Sequence, residues 1–269
     1  MGTCGGWCEG DPVAWRQFAD LGPMPLELGG HLPQVRVAYE TWGEFDGKNA
    51  VLVQHALTGD AHAAGPAGEG QATAGWWDAL IGPGKAIDTD RWFVLSSNVL
   101  GGCQGTTGPS STAPDGRAYG SRWPRITIRD QVAVEVALAD ALGIERFTAV
   151  MGGSMGGMRT LEWMVQHPQR VGGALVMATS ASATADQIAT QNIQIAAIQA
   201  DPDWRAGDYY ASGIAPLTGM GIARRIAHLT YRTERELAGR FGRDHQLGRT
   251  PWPTGGSPCS PTWTIRRTS

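Results

Sequence analysis

The stretch FTAVMGGSMGGMRTLEWMVQHP, residues 147–168, joins two different periodicities through a cluster of glycines. Phe147–Met151 is a compact apolar run of strand length, while Met158–His167 has helical spacing and is stopped by Pro168. Between them Gly152-Gly153-Ser154-Met155-Gly156 fits G-x-S-x-G, and a strand before it with a helix after it is the setting a nucleophile elbow requires. Small residues beside the serine permit a tight, strained turn that lifts the Ser154 hydroxyl out of the sheet. The following helix N-terminus aims main-chain N–H groups at developing negative charge. Met155 N–H is then one oxyanion donor. A glycine-rich turn with an incidental serine is the competing reading of the pentapeptide alone, and the strand-turn-helix setting favours the elbow.

Working outward, a second oxyanion donor should follow an earlier strand, and Val51-Leu52-Val53-Gln54 runs into His55-Ala56-Leu57-Thr58-Gly59. The donor is placed at Leu57 N–H, with Thr58 as second choice, and His55 is read as organising this loop rather than as catalytic. Val35–Tyr39 and Ala50–Val53 read as an early pair of strands around a polar turn at Asp46-Gly47-Lys48, with Trp92–Ser96 as another strand. Thr127 and Asp130 resemble a capping box opening a helix that Gly143 closes, and Ala174–Ala178 is the next strand. This β-α-β-α succession predicts an α/β fold with a mostly parallel sheet and right-handed crossovers. From about Ser180 the apolar residues recur at helical spacing, through Ile188, Ile193, Ile195 and Ile198 and again through Ile222, Ile226 and Leu229, which predicts a helical lid. No repeat of fixed period is present. The expected organisation is an N-terminal tail at 1–17, an α/β core at 18–180, a helical lid at 181–247 and a disordered tail at 248–269, where Pro251, Pro253, Pro258 and Pro261 interrupt any period.

With 269 residues, 42% of them hydrophobic and 17% charged, the chain can bury one large core or two small ones. Its formal net charge of -3 offers no basic field for a phosphate backbone, so nucleic-acid binding is disfavoured. No apolar run approaches the ~20 residues of a membrane span, and MGTCGGWCEG lacks the basic and apolar regions of a signal peptide, so a cytoplasmic protein is expected. The 4 cysteines match no complete structural zinc site, and Cys4 and Cys8 read as accessible thiols near the terminus. Lys48 and Lys85 are the only lysines among 22 basic residues, a bias that suggests a GC-rich gene.

Four separated stretches, AYETWGEFDGKNAVLVQHALTGDAH, FVLSSNVLGGCQGTTGPSS, GGSMGGMRTLEW and ARRIAHLTYR, together resemble the homoserine O-acetyltransferase family of the α/β-hydrolase superfamily, some members of which use succinyl-CoA. The resemblance covers roughly residues 18 to 248. It implies acetyl transfer from acetyl-CoA, as co-substrate, to the side-chain hydroxyl of L-homoserine in methionine biosynthesis, through a Ser154 acyl-enzyme and with no metal or bound cofactor. It further implies that Leu57 and Met155 are the oxyanion donors and that Arg224 and Tyr231 recognise the amino acid, Arg224 clamping its carboxylate. A homodimer through the lid is also implied. Without the resemblance, Arg224 reads as an ordinary solvated helix residue.

The family places its catalytic aspartate and histidine beyond the lid, and this sequence ends first. His167 lies 13 positions after Ser154, about 20 Å along a helix, against the ~3 Å a base needs. His31, His62, His228 and His245 are not where the family's base resides. The expectation is a sheet without its C-terminal strands, truncated or frameshifted. Residues 249–263 can be back-translated in GC-rich codons so that restoring one G near the Gly248 codon yields Glu-Asp-Pro-Leu-Ala-Asp-Gly-Arg-Phe-Ala-Val-Gln-Ser-Tyr-Leu, a family-like continuation. Two further readings stand beside the transferase: an esterase or thioesterase with water as acceptor, and an inactive remnant. Gln104–Ser111 reads as a polar loop near the pocket or as a structural turn.

Overall fold

The computed structural model describes residues 6–241. Its elements in chain order are strands β1 (Gln17–Pro25), β2 (His31–Trp42), β3 (Ala50–Gln54), β4 (Ile81–Gly82), β5 (Ile87–Asp88) and β6 (Phe93–Ser97), helix α1 (Ile128–Ala141), β7 (Ala149–Gly153), α2 (Met155–Gln166), β8 (Ala174–Met177), and helices α3 (Ala185–Gln199), α4 (Leu217–Thr230) and α5 (Glu234–Phe241). Two compact units divide at Ser182/Ala183. The expected 248–269 tail, His245 and Cys4 lie outside the described residues.

The first unit holds a six-stranded sheet in the order β1-β2-β6-β3-β7-β8. β1 and β2 are antiparallel, β2 meets β6 antiparallel, and β3 is parallel to β6 and β7, with β8 parallel to β7. Two sequence expectations change here. Val35–Tyr39 and Ala50–Val53 do not pair, because β6 lies between them. The hairpin partner of β2 is instead β1, whose bulges at Gly22 and whose two prolines break the alternation that reveals a strand.

The parallel strands are apolar on both faces, as burial from both sides demands. Leu52, Leu95 and Val150 meet Val132 and Leu138 of α1 and Trp163 of α2 in the larger core, where Phe147 and Trp163 contact edge to face at 5.5 Å. Val51, Val53 and Val94 point the other way, onto Ala63, Ala64 and Ile81. Thr127 caps α1 as expected: its side chain accepts from the Asp130 N–H, and the Asp130 carboxylate accepts from the Thr127 N–H. That buried carboxylate also accepts from the Glu27 N–H at 2.7 Å, tying the turn after β1 to the helix.

Gln104–Ser111 serves a structural end. Thr106 Oγ1 accepts from the Ala38 N–H and donates to the Asn98 carbonyl, while Thr107 Oγ1 accepts from the Arg36 N–H. The loop thereby satisfies β2 main-chain groups beyond the end of β6. With Arg36 it also lines a cleft of about 510 Å³.

In the second unit the segment after β8 is helical, as its spacing predicts. A Thr184–Gln187 capping box opens α3. A Cβ at Gly219 of α4 would come within 2.4 Å of the Ala197 carbonyl of α3, so only glycine permits this approach. Asp201 Oδ2 accepts the Gly219 N–H at 2.8 Å, and such main-chain bonds hold the Asp201 carboxyl below its usual range. Ile188, Ile193 and Ile195 are exposed. No helix of the described residues is long and apolar enough to cross a membrane.

Candidate active site

Ser154 stands where β7 ends and α2 begins, with φ 55° and ψ -123°, a left-handed backbone conformation unusual for a residue with a side chain. Three constraints hold it there. Its N–H donates to the Met177 carbonyl of β8 at 3.0 Å, anchoring the turn to the sheet. A Cβ on Gly152 would approach Gly156 within 2.5 Å, and a Cβ on Gly156 would approach the Gln54 carbonyl within 2.1 Å. Both outer glycines of the pentapeptide are therefore required by close backbone approach, whereas a Cβ on Gly153 meets nothing nearer than 3.9 Å. The resulting bend leaves Ser154 exposed, with its side chain making no capping bond to α2.

Met155 is the first residue of α2, where the main-chain N–H groups have no acceptor within the helix. Leu57 lies in the turn after β3, closed by the Gly59 N–H donating to the Ala56 carbonyl at 2.9 Å. Leu57 is 64% exposed. β3 and β7 are adjacent and parallel, with Gln54 opposite Gly152, so the 55–59 loop and the elbow emerge at the same end of neighbouring strands. Sequence placed these segments near each other only through a motif rule; strand order does so physically.

His55 has both ring nitrogens occupied. Nδ1 contacts the Ala56 carbonyl at 2.7 Å and Nε2 accepts the Val99 N–H at 3.1 Å, which assigns the proton to Nδ1. Complete burial, and then the nearby Arg159 guanidinium, push its pKa down to about 3, so the ring is neutral and acts as a loop organiser. His62 is equally committed, Nδ1 to Glu40 Oε2 at 2.8 Å and Nε2 to the Pro66 carbonyl at 3.2 Å, with Trp15 stacked on the ring. Desolvation raises the pKa of its partner Glu40. His167 caps the far end of α2. Neither His55 nor His62 offers Ser154 a free ring nitrogen, and His167 is separated from it by the length of α2.

Beneath the elbow lies a network that residue spacing did not reveal. Arg159 is fully buried in α2; its Nη1 contacts Glu135 of α1 at 2.5 Å and its Nη2 donates to the His55 carbonyl at 2.6 Å. Glu135 also accepts from Gln54 Nε2 at 2.6 Å and Trp163 Nε1 at 2.8 Å, and Thr160 Oγ1 donates to Gln54 Oε1 at 2.7 Å. The available signal was an arginine on the inward face of a helix whose Trp163 is core, combined with a glutamate between apolar residues of α1.

Arg224 is exposed on α4, and Tyr231 follows that helix, 59% exposed, its hydroxyl 2.8 Å from His228 Nδ1. Both belong to the second unit.

A family model described as alpha/beta hydrolase fold matches residues 49–269. A homoserine O-acetyltransferase of Thermobifida fusca (strain YX) is 58% identical over 255 residues, covering 93% of this chain and 67% of the relative. Among solved structures, homoserine O-acetyltransferase from Bacillus anthracis superimposes with a TM-score of 0.77 at 32% identity, covering 85% of this chain and 63% of that one. An acetylester hydrolase from Corynebacterium glutamicum gives 0.71 at 28% identity, covering 87% and 65%. The chain spans about two thirds of the length of the curated relatives it matches.

Proposed function

We propose a function on the premise that the chain belongs to the homoserine O-acetyltransferase family of the α/β-hydrolase fold. Its first unit is the nucleophile and oxyanion half of an acyltransferase that moves an acetyl group from acetyl-CoA to the hydroxyl of L-homoserine, a step toward methionine. Ser154 Oγ attacks the thioester carbonyl, the C–S bond breaks, and CoA leaves as the thiol once protonated. The homoserine hydroxyl then attacks the Ser154 ester, giving O-acetylhomoserine and restoring the serine hydroxyl. Leu57 and Met155 N–H groups cradle the oxyanion of both tetrahedral intermediates. On the family resemblance Arg224 clamps the homoserine carboxylate and Tyr231 also serves amino-acid recognition, and the reaction needs no bound cofactor or metal. The family's lid pairing would make the protein a cytoplasmic homodimer.

The observation that supports this reading best is the strained Ser154 backbone, held at the strand-to-helix bend by glycines that tolerate no Cβ. Each proton transfer requires a base; the ring nitrogens of His55 and His62 are engaged in other hydrogen bonds, and His167 stands at the opposite end of α2 from Ser154. Without a base supplied from elsewhere, acetyl transfer is expected several orders of magnitude below that of an enzyme with a full triad.

The test follows thiol release from acetyl-CoA with and without homoserine, beside fluorophosphonate labelling of the wild type and Ser154→Ala. Labelling confined to Ser154 and slow, homoserine-dependent thiol release support the proposal. Hydrolysis independent of homoserine would make the chain an esterase, and thiol release unaffected by Ser154→Ala would overturn the nucleophile assignment. Turnover at rates typical of a full triad would show that a base other than His55, His62 and His167 serves Ser154.

A further inference from the structure

We infer that Arg159 is a positioning residue that sets the 55–59 loop against the elbow helix and thereby fixes the spacing of the two oxyanion donors. The inference rests on the reading of Ser154 as nucleophile given above. Leu57 and Met155 are 98 positions apart and belong to different segments; β3–β7 pairing brings the segments side by side, and the contact between the loop and the start of α2 sets the remaining distance between their N–H groups.

That contact has two points, both on α2. Gly156 touches the Gln54 and His55 carbonyls so closely that no side chain fits between. One turn further, Arg159 donates Nη2 to the same His55 carbonyl. The guanidinium is held from behind by Glu135 of α1, while its buried Nε has no hydrogen-bond partner among the described residues. An arginine whose Nε finds no acceptor is poorly explained as general solvation of a charge. The planar fork suits bridging a carboxylate and a carbonyl at once, which an ammonium point charge does less well. His55 completes the clamp from the other side, because its side chain accepts the Val99 N–H while its carbonyl is gripped by Arg159. The loop is thus fixed at the residue two before Leu57, from β6's end and from α2.

The test compares the wild-type chain with the double variant Arg159→Met/Glu135→Gln, which removes both buried charges together and leaves Glu135's position an acceptor for Trp163. Amide hydrogen exchange is read at Gly59 and Val99, whose N–H groups bond to Ala56 and to the His55 ring, with Leu52 and Val150 of the sheet as internal reference. The expected result is exchange at least about tenfold faster at Gly59 and Val99 with the sheet amides unchanged. A folded variant with unaltered loop exchange would overturn the inference. Should the double variant fail to fold, Arg159→Lys keeps the charge opposite Glu135 and gives the same readout.

A second readout follows a small alkyl boronic acid forming a tetrahedral adduct on Ser154, detected by ¹¹B NMR. A loosened loop should weaken adduct formation by about tenfold or more, up to the 10²–10³ attributed to outright loss of one oxyanion donor. Faster loop exchange with unchanged boronate affinity would reduce Arg159 to a structural residue. Absence of any adduct in the wild-type chain would count against Ser154 as nucleophile, and loop exchange would still decide whether Arg159 holds the loop.

Discussion

Replacing Gly156 by alanine places a methyl group where the elbow helix and the β3 terminus nearly touch. The added Cβ would lie 2.1 Å from the Gln54 carbonyl oxygen, 2.9 Å from its carbon and 3.0 Å from the His55 carbonyl oxygen. All three are main-chain atoms, so no rotamer change relieves the clash, and helix and loop must separate by about 1 Å to reach ordinary contact. Overpacking of this kind costs about 1–3 kcal/mol, and the rigid neighbours place Gly156→Ala at the upper end. Stretching the Arg159–His55 bond adds to that, because hydrogen bonds to charged groups contribute about 1.5–3 kcal/mol. Alanine returns up to ~1 kcal/mol through helix propensity. The net expectation is a loss of about 3.5–5 kcal/mol, or roughly 7–20 °C in Tm for a unit of this size. Gly153→Ala supplies the control: it lies in the same pentapeptide, yet its Cβ meets nothing within 3.9 Å, so its Tm should move by only ~1–2 °C. Thermal unfolding followed by circular dichroism measures both. Equal Tm values for the two variants would refute the reasoning that close backbone approach, rather than glycine flexibility, maintains the elbow.

Three further predictions follow from single contacts. The His55 pKa is depressed from 6.5 to about 3, so the unfolded chain binds the proton first. Its contribution to stability is full above pH 6.5 and is lost as pH falls toward 3, by about 1.4 kcal/mol per unit. Urea denaturation across that window should show wild type losing stability relative to His55→Gln, and parallel pH profiles would contradict the buried neutral ring. Asp130→Ala removes the acceptor for both the Thr127 and Glu27 N–H groups and should cost about 2–3 kcal/mol, measured as a fall in the urea midpoint without a change in m-value. In the described residues β8 is an edge strand with Leu175 and Val176 exposed on opposite faces, so Val176→Lys should reduce light scattering at high concentration while leaving Tm nearly unchanged.

The elbow, the Thr127–Asp130 cap and the helical character of the segment after β8 were all legible in the sequence because each depends on residues within a few positions of one another. A glycine two before a serine and another two after it, a cap residue three before its partner, and an apolar repeat at helical spacing are short-range signals that backbone sterics and local hydrogen bonds enforce directly. β1 was missed because Gly22, Pro23 and Pro25 obscure its alternation, and only pairing with β2 makes it a strand. The insertion of β6 between β2 and β3, the joining of Arg159 to Glu135 and His55, and the bond from Thr160 to Gln54 involve partners 24 to 106 positions apart. No periodicity encodes such choices: they are made when the strands find their order and a buried charge must meet its counter-charge or remain unpaired in a low-dielectric interior. The amino-acid order alone determined that Ser154 sits on a sharp bend, whereas the tertiary structure decided what braces that bend and which histidines are already engaged.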